Sequence, residues 1–185
     1  MPKSILITGG ARSGKSHFAQ ELALKSAQPV LFVATATAGD EEMKQRIEKH
    51  RSSRPADWQT LEVTTHVGSQ ILKNMGRSRT VVVDCITLLL NNVFSQYYNE
   101  NIDAALVEKE VISEIGELTD CFDHTEDSFI IVTNEIGLGL VPADRLSRLY
   151  RDLLGKANQT LAQRVDEVYL LVSGIPLLIK PNKAL

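Results

Sequence analysis

Ser4-Ile5-Leu6-Ile7-Thr8-Gly9-Gly10-Ala11-Arg12-Ser13-Gly14-Lys15-Ser16 is a short apolar run that ends in a glycine-rich turn. From Gly9 to Ser16 it matches the spacing G-x-x-x-x-G-K-[ST]. Ile5, Leu6 and Ile7 read as a buried strand, and residues 17–25 read as a helix with Phe18, Leu22 and Ala19 inward. Strand, loop and helix in that order make the spacing a phosphate cradle rather than a structural turn. Glycine lets the backbone approach phosphates without a Cβ in the way. Gly9, Gly10, Ala11, Arg12, Ser13 and Gly14 would then line an anion-binding nest of N–H groups at a helix N-terminus. Lys15 is expected to reach the β- and γ-phosphates, and Ser16 to offer its hydroxyl to Mg²⁺.

The remaining chain fits an α/β fold built around that loop. Val30–Ala34, Thr80–Asp84, residues 129–133 and residues 168–172 are continuous apolar runs of strand length. Helical stretches lie between them, at 40–51, 67–75, 86–98, 102–122 and 143–164, the last opened by Pro142. Strand and helix in alternation predict a doubly wound, mostly parallel sheet. The gap between residues 168–172 and 176–180 is too short for a parallel crossover. An antiparallel edge hairpin is therefore expected at the C-terminus, and Pro176 suits an edge strand. A length of 185 residues suits one domain, residues 1–185.

Bulk composition narrows the function classes. Apolar residues are 43% and charged residues 23%, as in a water-soluble globular protein. A net charge of −3 gives no sign of a nucleic-acid partner. Cys85 and Cys121 show neither metal-ligand spacing nor a disulfide framework, which fits a reducing cytoplasm. No apolar run reaches the length of a membrane span, and the first residues lack a signal-peptide pattern.

Several other residues could carry chemistry. Thr80–Asp84 is a β-branched run into an aspartate, a Walker-B-type segment that would put Asp84 at the sheet's C-terminal edge, on Mg²⁺. A helix N-cap is the alternative for Asp84. Ala34, Thr35 and Ala36 are small residues at a strand's C-terminal end, where open α/β sheets bind ligands; a plain connecting loop is equally open. Thr133, Asn134 and Glu135 end another strand and are expected to face the site. On the helix at 40–51, Met43, Ile47 and His50 share one thin apolar face. His50 stands among Lys49, Arg51 and Arg54. Those cations could hold phosphates beside a neutral imidazole nucleophile; a surface histidine is the plainer reading. Glu62 by composition is a solvated acid, and Arg145, Arg148 and Arg151 a solvated helix face unless subunits pack there.

The whole set of motifs resembles one family. Thr8 to Ser16, Ala34-Thr35, Arg46-Ile47 through His50 to Arg54-Pro55 and Trp58, Thr133 to Gly137, Arg151-Asp152 with Asn158-Gln159, and Val172-Ser173-Gly174 are similar to the bifunctional adenosylcobinamide kinase/adenosylcobinamide-phosphate guanylyltransferases of cobalamin biosynthesis. The resemblance implies a kinase and nucleotidyltransferase. ATP or GTP would phosphorylate the hydroxyl arm of adenosylcobinamide. A histidine at the position of His50 would then take GMP from GTP and pass it to the substrate phosphate. Nucleotide contacts carry over to Gly9 through Ser16, Ala34 through Ala36, Arg51, Ser52, Ser53, Arg54, Glu62 and Asp84. A homotrimer is also implied. Lys49 stands where some relatives have a second histidine, and Asp84 where some have glutamate. The residues by themselves would also suit a single-activity P-loop kinase or a nucleotide-binding regulatory protein.

Overall fold

A computed structural model describes residues 3–52, 54–97 and 102–182. Ser53, the loop tip at 99–101 and the end of the helix at Tyr98 lie outside them. Seven strands form one sheet: β1 (Ser4–Gly9), β2 (Val30–Ala34), β3 (Gln59–Glu62), β4 (Thr80–Asp84), β5 (Ser128–Val132), β6 (Glu167–Val172) and β7 (Ile175–Lys180). Their spatial order is β3-β2-β4-β5-β1-β6-β7. All neighbours pair parallel except β6 with β7, which form the expected antiparallel hairpin. Ser173 and Gly174 turn it, both at positive φ (52° and 84°).

Among the described residues there are six helices: α1 (Lys15–Lys25), α2 (Glu41–Ser52), α3 (Val67–Asn74), α4 (Ile86–Gln96), α5 (Ala104–His124) and α6 (Arg145–Arg164). Because both faces of the sheet are covered, its strands read as unbroken apolar runs. Leu6, Val33, Val83 and Ile131 point to the face packed by α3 to α6. Ile7, Phe32, Val82 and Val132 point to the opposite face, which α1 covers. Against that face α1 presents Ala19 and Ala23, both fully buried, while Phe18 and Leu22 are only half-buried. Small side chains let the helix axis come close to the sheet. The larger apolar residues expected inward are pushed to the flanks.

Two helix details depart from expectation. Pro142 does not open α6. Asp144 caps it instead, its carboxylate accepting from the Ser147 N–H at 2.7 Å. Arg148 donates to the carbonyls of Pro142 and Ala143, and the Arg151 side chain is only 22% exposed, so this is not a simple solvated face.

The sheet order has a consequence for the site. β5 lies between β1, which feeds the glycine-rich loop, and β4, which ends in Asp84. The loop after β5 therefore leaves the sheet midway between them.

Candidate active site

The loop from Gly9 to Ser16 is held in one shape by contacts that tolerate no side chain at key points. Gly9 sits at φ +145°, and a Cβ there would lie 2.4 Å from the Leu171 carbonyl oxygen. Gly14 precedes α1 at φ +97°, with a Cβ position 3.3 Å from the Gly174 Cα. The Ser13 carbonyl accepts from the Gly174 N–H at 2.9 Å, so the β6–β7 turn supports the loop from behind. Arg12 is exposed and left-handed, at φ 58°. Gly10 and Ala11 are also exposed. Lys15 is 93% withdrawn from solvent, its Nζ donating to the Gly10 carbonyl at 2.5 Å and to Ser13 Oγ at 3.4 Å. An ammonium curled into a ring of backbone dipoles is placed to meet phosphate oxygens entering that ring.

Asp84 gathers the other charged groups. Burial pushes its carboxyl above the ordinary carboxylate range. A hydrogen bond with Ser16 and the proximity of His50, Arg54 and Lys15 pull the other way. These five residues come from three separate segments: the glycine-rich loop with the start of α1, the end of α2 with the turn just after it, and the end of β4. Asp84 does not cap α4; Cys85 holds that position, without a side-chain cap.

Arg54 is held differently from the rest. Its guanidinium lies 3.9 Å above the centroid of the Phe32 ring, and Trp58 stacks beside Phe32 with centroids 6.3 Å apart. Its Nε is buried with no partner among the described residues. Burial lowers the basicity of the guanidinium, opposed by the carboxylates of Asp84 and Glu62. Glu62 is exposed, with Arg51 Nη1 at 3.7 Å from its Oε1. Ser52 bonds back into its own helix, to the Lys49 carbonyl. A buried, unpaired donor beside a cluster of cations has the chemistry to donate to a phosphate oxygen.

Thr35 is engaged elsewhere. It is fully buried; its hydroxyl donates to the Cys85 carbonyl (2.7 Å) and accepts from the Cys85 N–H (2.8 Å). Its own N–H donates to the Asp84 carbonyl at 3.2 Å. Thr35 thus pins the backbone on both sides of the Asp84 side chain. Ala34 and the half-buried Ala36 flank it. Thr133 also turns away from the charged cluster. Its hydroxyl donates to Asn158 Oδ1 on α6 at 2.7 Å, and Asn158 Nδ2 donates to the Asn134 carbonyl. Glu135 borders a cleft beside α6, together with Thr8.

The donor set around Ser16 and Asp84 fits Mg²⁺. A hydroxyl and a carboxylate are hard oxygen ligands, and Mg²⁺ commonly takes one or two from protein and the rest from phosphates and water. No group of three or more His, Cys, Asp or Glu that could hold a metal occurs among the described residues, so a cage made by the protein alone is not present there.

The chain is similar to proteins of known activity. The model of the family described as cobinamide kinase / cobinamide phosphate guanyltransferase matches residues 5–179. The bifunctional adenosylcobalamin biosynthesis protein CobU of Salmonella typhimurium is 40% identical over 180 residues, covering 95% of this chain and 99% of that one. Its namesake in Escherichia coli is 39% identical with the same coverage. The bifunctional adenosylcobalamin biosynthesis protein CobP of Pseudomonas aeruginosa is 40% identical over 175 residues, 95% of this chain and 96% of that one. Among solved structures, the RadB recombinase superposes with a TM-score of 0.50 at 14% identity, over 91% of this chain and 73% of that one. A Pyrococcus horikoshii protein does so with a TM-score of 0.55 at 10% identity, over 98% and 87%. Those two likenesses concern the fold alone.

Proposed function

This chain belongs to the cobinamide kinase / cobinamide phosphate guanyltransferase family, and from that premise we propose that one nucleotide site serves both transfers. In the first, the hydroxyl of the cobinamide arm attacks the γ-phosphorus of ATP or GTP, and the nucleoside diphosphate leaves. In the second, an imidazole nitrogen of His50 attacks the α-phosphorus of GTP. A nitrogen–phosphorus bond forms, the bond to the bridging oxygen breaks, and pyrophosphate leaves. The corrinoid phosphate then attacks the same phosphorus and frees His50, giving cobinamide-GDP.

The observation that carries the reading is the convergence on Asp84 of Ser16, Lys15, His50 and Arg54 from two other segments of the chain. The N–H groups from Gly9 to Gly14 cradle the phosphates, and Lys15 neutralises charge on the β- and γ-phosphates. Arg54, braced on Phe32, offers its buried Nε–H to the nucleotide, and Arg51 and Glu62 line the outer edge. Ser16 and Asp84 would hold Mg²⁺, which would supply positive charge to offset that of the phosphates. Two half-reactions at His50 replace one difficult displacement.

We place this chemistry in the cytoplasm, where nucleoside triphosphates are available; no helix among the described residues is long and apolar enough to cross a membrane. We also propose a homotrimer. Support comes from the edge hairpin, where Val172, Ile175, Leu177 and Ile179 are all exposed.

The test is to incubate the protein with GTP labelled at the α-phosphorus. The reading expects an acid-labile, alkali-stable label on the peptide containing His50, discharged by cobinamide phosphate. A protein that phosphorylates cobinamide but never carries label would be a single-activity kinase instead.

A further inference from the structure

Two clefts outside the charged cluster meet at Arg151. The wider, about 600 Å³, runs between α6 and strands β1, β6 and β7 with the loop after β5 at its edge, bordered by Thr8, Glu135, Asp152 and Gln159. The narrower, about 380 Å³, lies between α4 and α6 and is mainly apolar, with Phe94, Ile136, Leu146 and Tyr150 in its wall. Arg151 borders both, its guanidinium donating to Asp152 Oδ1. Tyr150 gives its hydroxyl to the Thr87 carbonyl, and its ring packs edge-on against Phe94 at 5.1 Å.

The loop after β5 forms the boundary between the clefts and the phosphate cradle. The Glu135 N–H donates to the Gly9 carbonyl at 3.0 Å, tying this loop to the start of the cradle. The Glu135 carboxylate accepts from the Gly137 N–H at 2.6 Å, and a Cβ at Gly137 would stand 2.9 Å from that carboxylate. Beyond it the loop turns apolar side chains to solvent: Leu138 is 85% exposed, Leu140 96% and Val141 67%. Thr8 Oγ1, one residue before the cradle, is buried with no hydrogen-bond partner among the described residues.

A ligand that suits all of this has a broad apolar slab, a rim of hydrogen-bonding groups and an arm that reaches the phosphate loop. A corrinoid has that form: a flat macrocycle with amide side chains around its edge and a hydroxyl-bearing arm. We propose that the joined clefts either side of Arg151 are the corrinoid-binding surface, an inference that rests on the function proposed above. The macrocycle lies against Leu138, Leu140 and the apolar cleft. Its rim amides enter the wider cleft beside Gln159 and Thr8. The hydroxyl arm passes Glu135 toward Lys15. The substrate therefore approaches from the α6 face of the sheet, and the nucleotide from the α1 face.

The test measures cobinamide binding to the full-length protein by equilibrium dialysis, read from corrin absorbance, and GTP loading in parallel. In L138S/L140S, which changes two exposed residues, the Kd for cobinamide should rise about tenfold, as expected for lost apolar contact. In Gln159→Ala it should rise about threefold, the scale of one neutral hydrogen bond. Ile112→Ser, exposed on α5 and lining neither cleft, should bind as the parent does. Cobinamide binding within about twofold of the parent in both L138S/L140S and Gln159→Ala overturns the placement, that ratio being below the value of one hydrogen bond. So does a variant that changes only its oligomeric state on sedimentation, which would assign the loop to a subunit contact. A parent protein that loads GTP but neither binds nor phosphorylates cobinamide would instead overturn the functional reading itself.

Discussion

α1 and α2 both bring residues to the charged cluster, yet they are mounted in opposite ways. α1 buries Ala19 and Ala23 completely, and its first residue, Lys15, is 7% exposed. α2 adds no described residue to either core; Met43, Ile47 and His50 are at most half-buried, and the rest of its described side chains are exposed. The difference is one of rigidity. The cradle is fixed by packing and by glycines that admit no Cβ. His50 rides on a helix whose burial contributes little. In the proposed mechanism the nucleophile must reach an α-phosphorus in one reaction and leave room for a γ-phosphoryl transfer in the other, and such a mount suits it, since lightly packed elements open and shift at low free-energy cost.

Substitutions can break this contrast. Lys15→Ala should lower both transfers by about a thousandfold, the scale of removing one donor aimed at developing phosphate charge, measured as kcat/KM for each reaction. Gly9→Ala should destabilise the protein by about 3 kcal/mol in denaturant unfolding, because the new methyl meets the Leu171 carbonyl at a φ unsuited to alanine. On α1, Ala19→Leu should cost about 2 kcal/mol through overpacking against the sheet. On α2, Ile47→Ala should cost less than about 1 kcal/mol, because the side chain is only half-buried. Equal costs for these two would remove the contrast between the helices. Arg54→Lys keeps the charge but loses the planar stack on Phe32 and the buried Nε–H. It should slow guanylylation of the protein about tenfold.

The smallest effect concerns pH. Burial raises the pKa of Asp84 in the folded protein, so folding favours its protonated form. The stability this group contributes is fully present below its unfolded pKa and is lost as pH rises through its folded pKa. Near neutral pH its ionised form is a cost to the ligand-free protein. Asp84→Asn should therefore raise the Tm of the ligand-free protein by a few degrees at pH 7 while weakening Mg²⁺-dependent nucleotide binding. A lower Tm would mean that Ser16 and the surrounding cations outweigh burial.

Much of the fold was legible in the chain. Val30–Ala34 and Thr80–Asp84 coincide with strands to the residue, because continuous β-branched and apolar runs suit a strand covered on both faces. The terminal hairpin followed from the short gap between the last two strand runs. The order of strands was not legible, since nothing local in β5 states that it inserts between β1 and β4. The start of α6 was set at Pro142 by its fixed φ, yet the side chain of Asp144 decides it. In the site, the glycine-rich loop and Asp84 announced themselves by spacing. Three long-range contacts did not: the Phe32 ring under Arg54, the Thr35 hydroxyl on Cys85, and Arg151 between two clefts. Trp58, so near Arg54 in sequence, was the one available hint of the aromatic support.

The most direct measurement of a shared cradle with a separate, movable nucleophile is a double-label comparison of wild type and His50→Ala. GTP labelled at the γ-phosphorus reports phosphorylation of cobinamide, and GTP labelled at the α-phosphorus reports guanylylation. The variant should lose all α-label from protein and product yet keep γ-transfer within about threefold of wild type, since only one of the two steps uses the imidazole. Retained α-transfer, or loss of both transfers in a folded variant, would contradict the account.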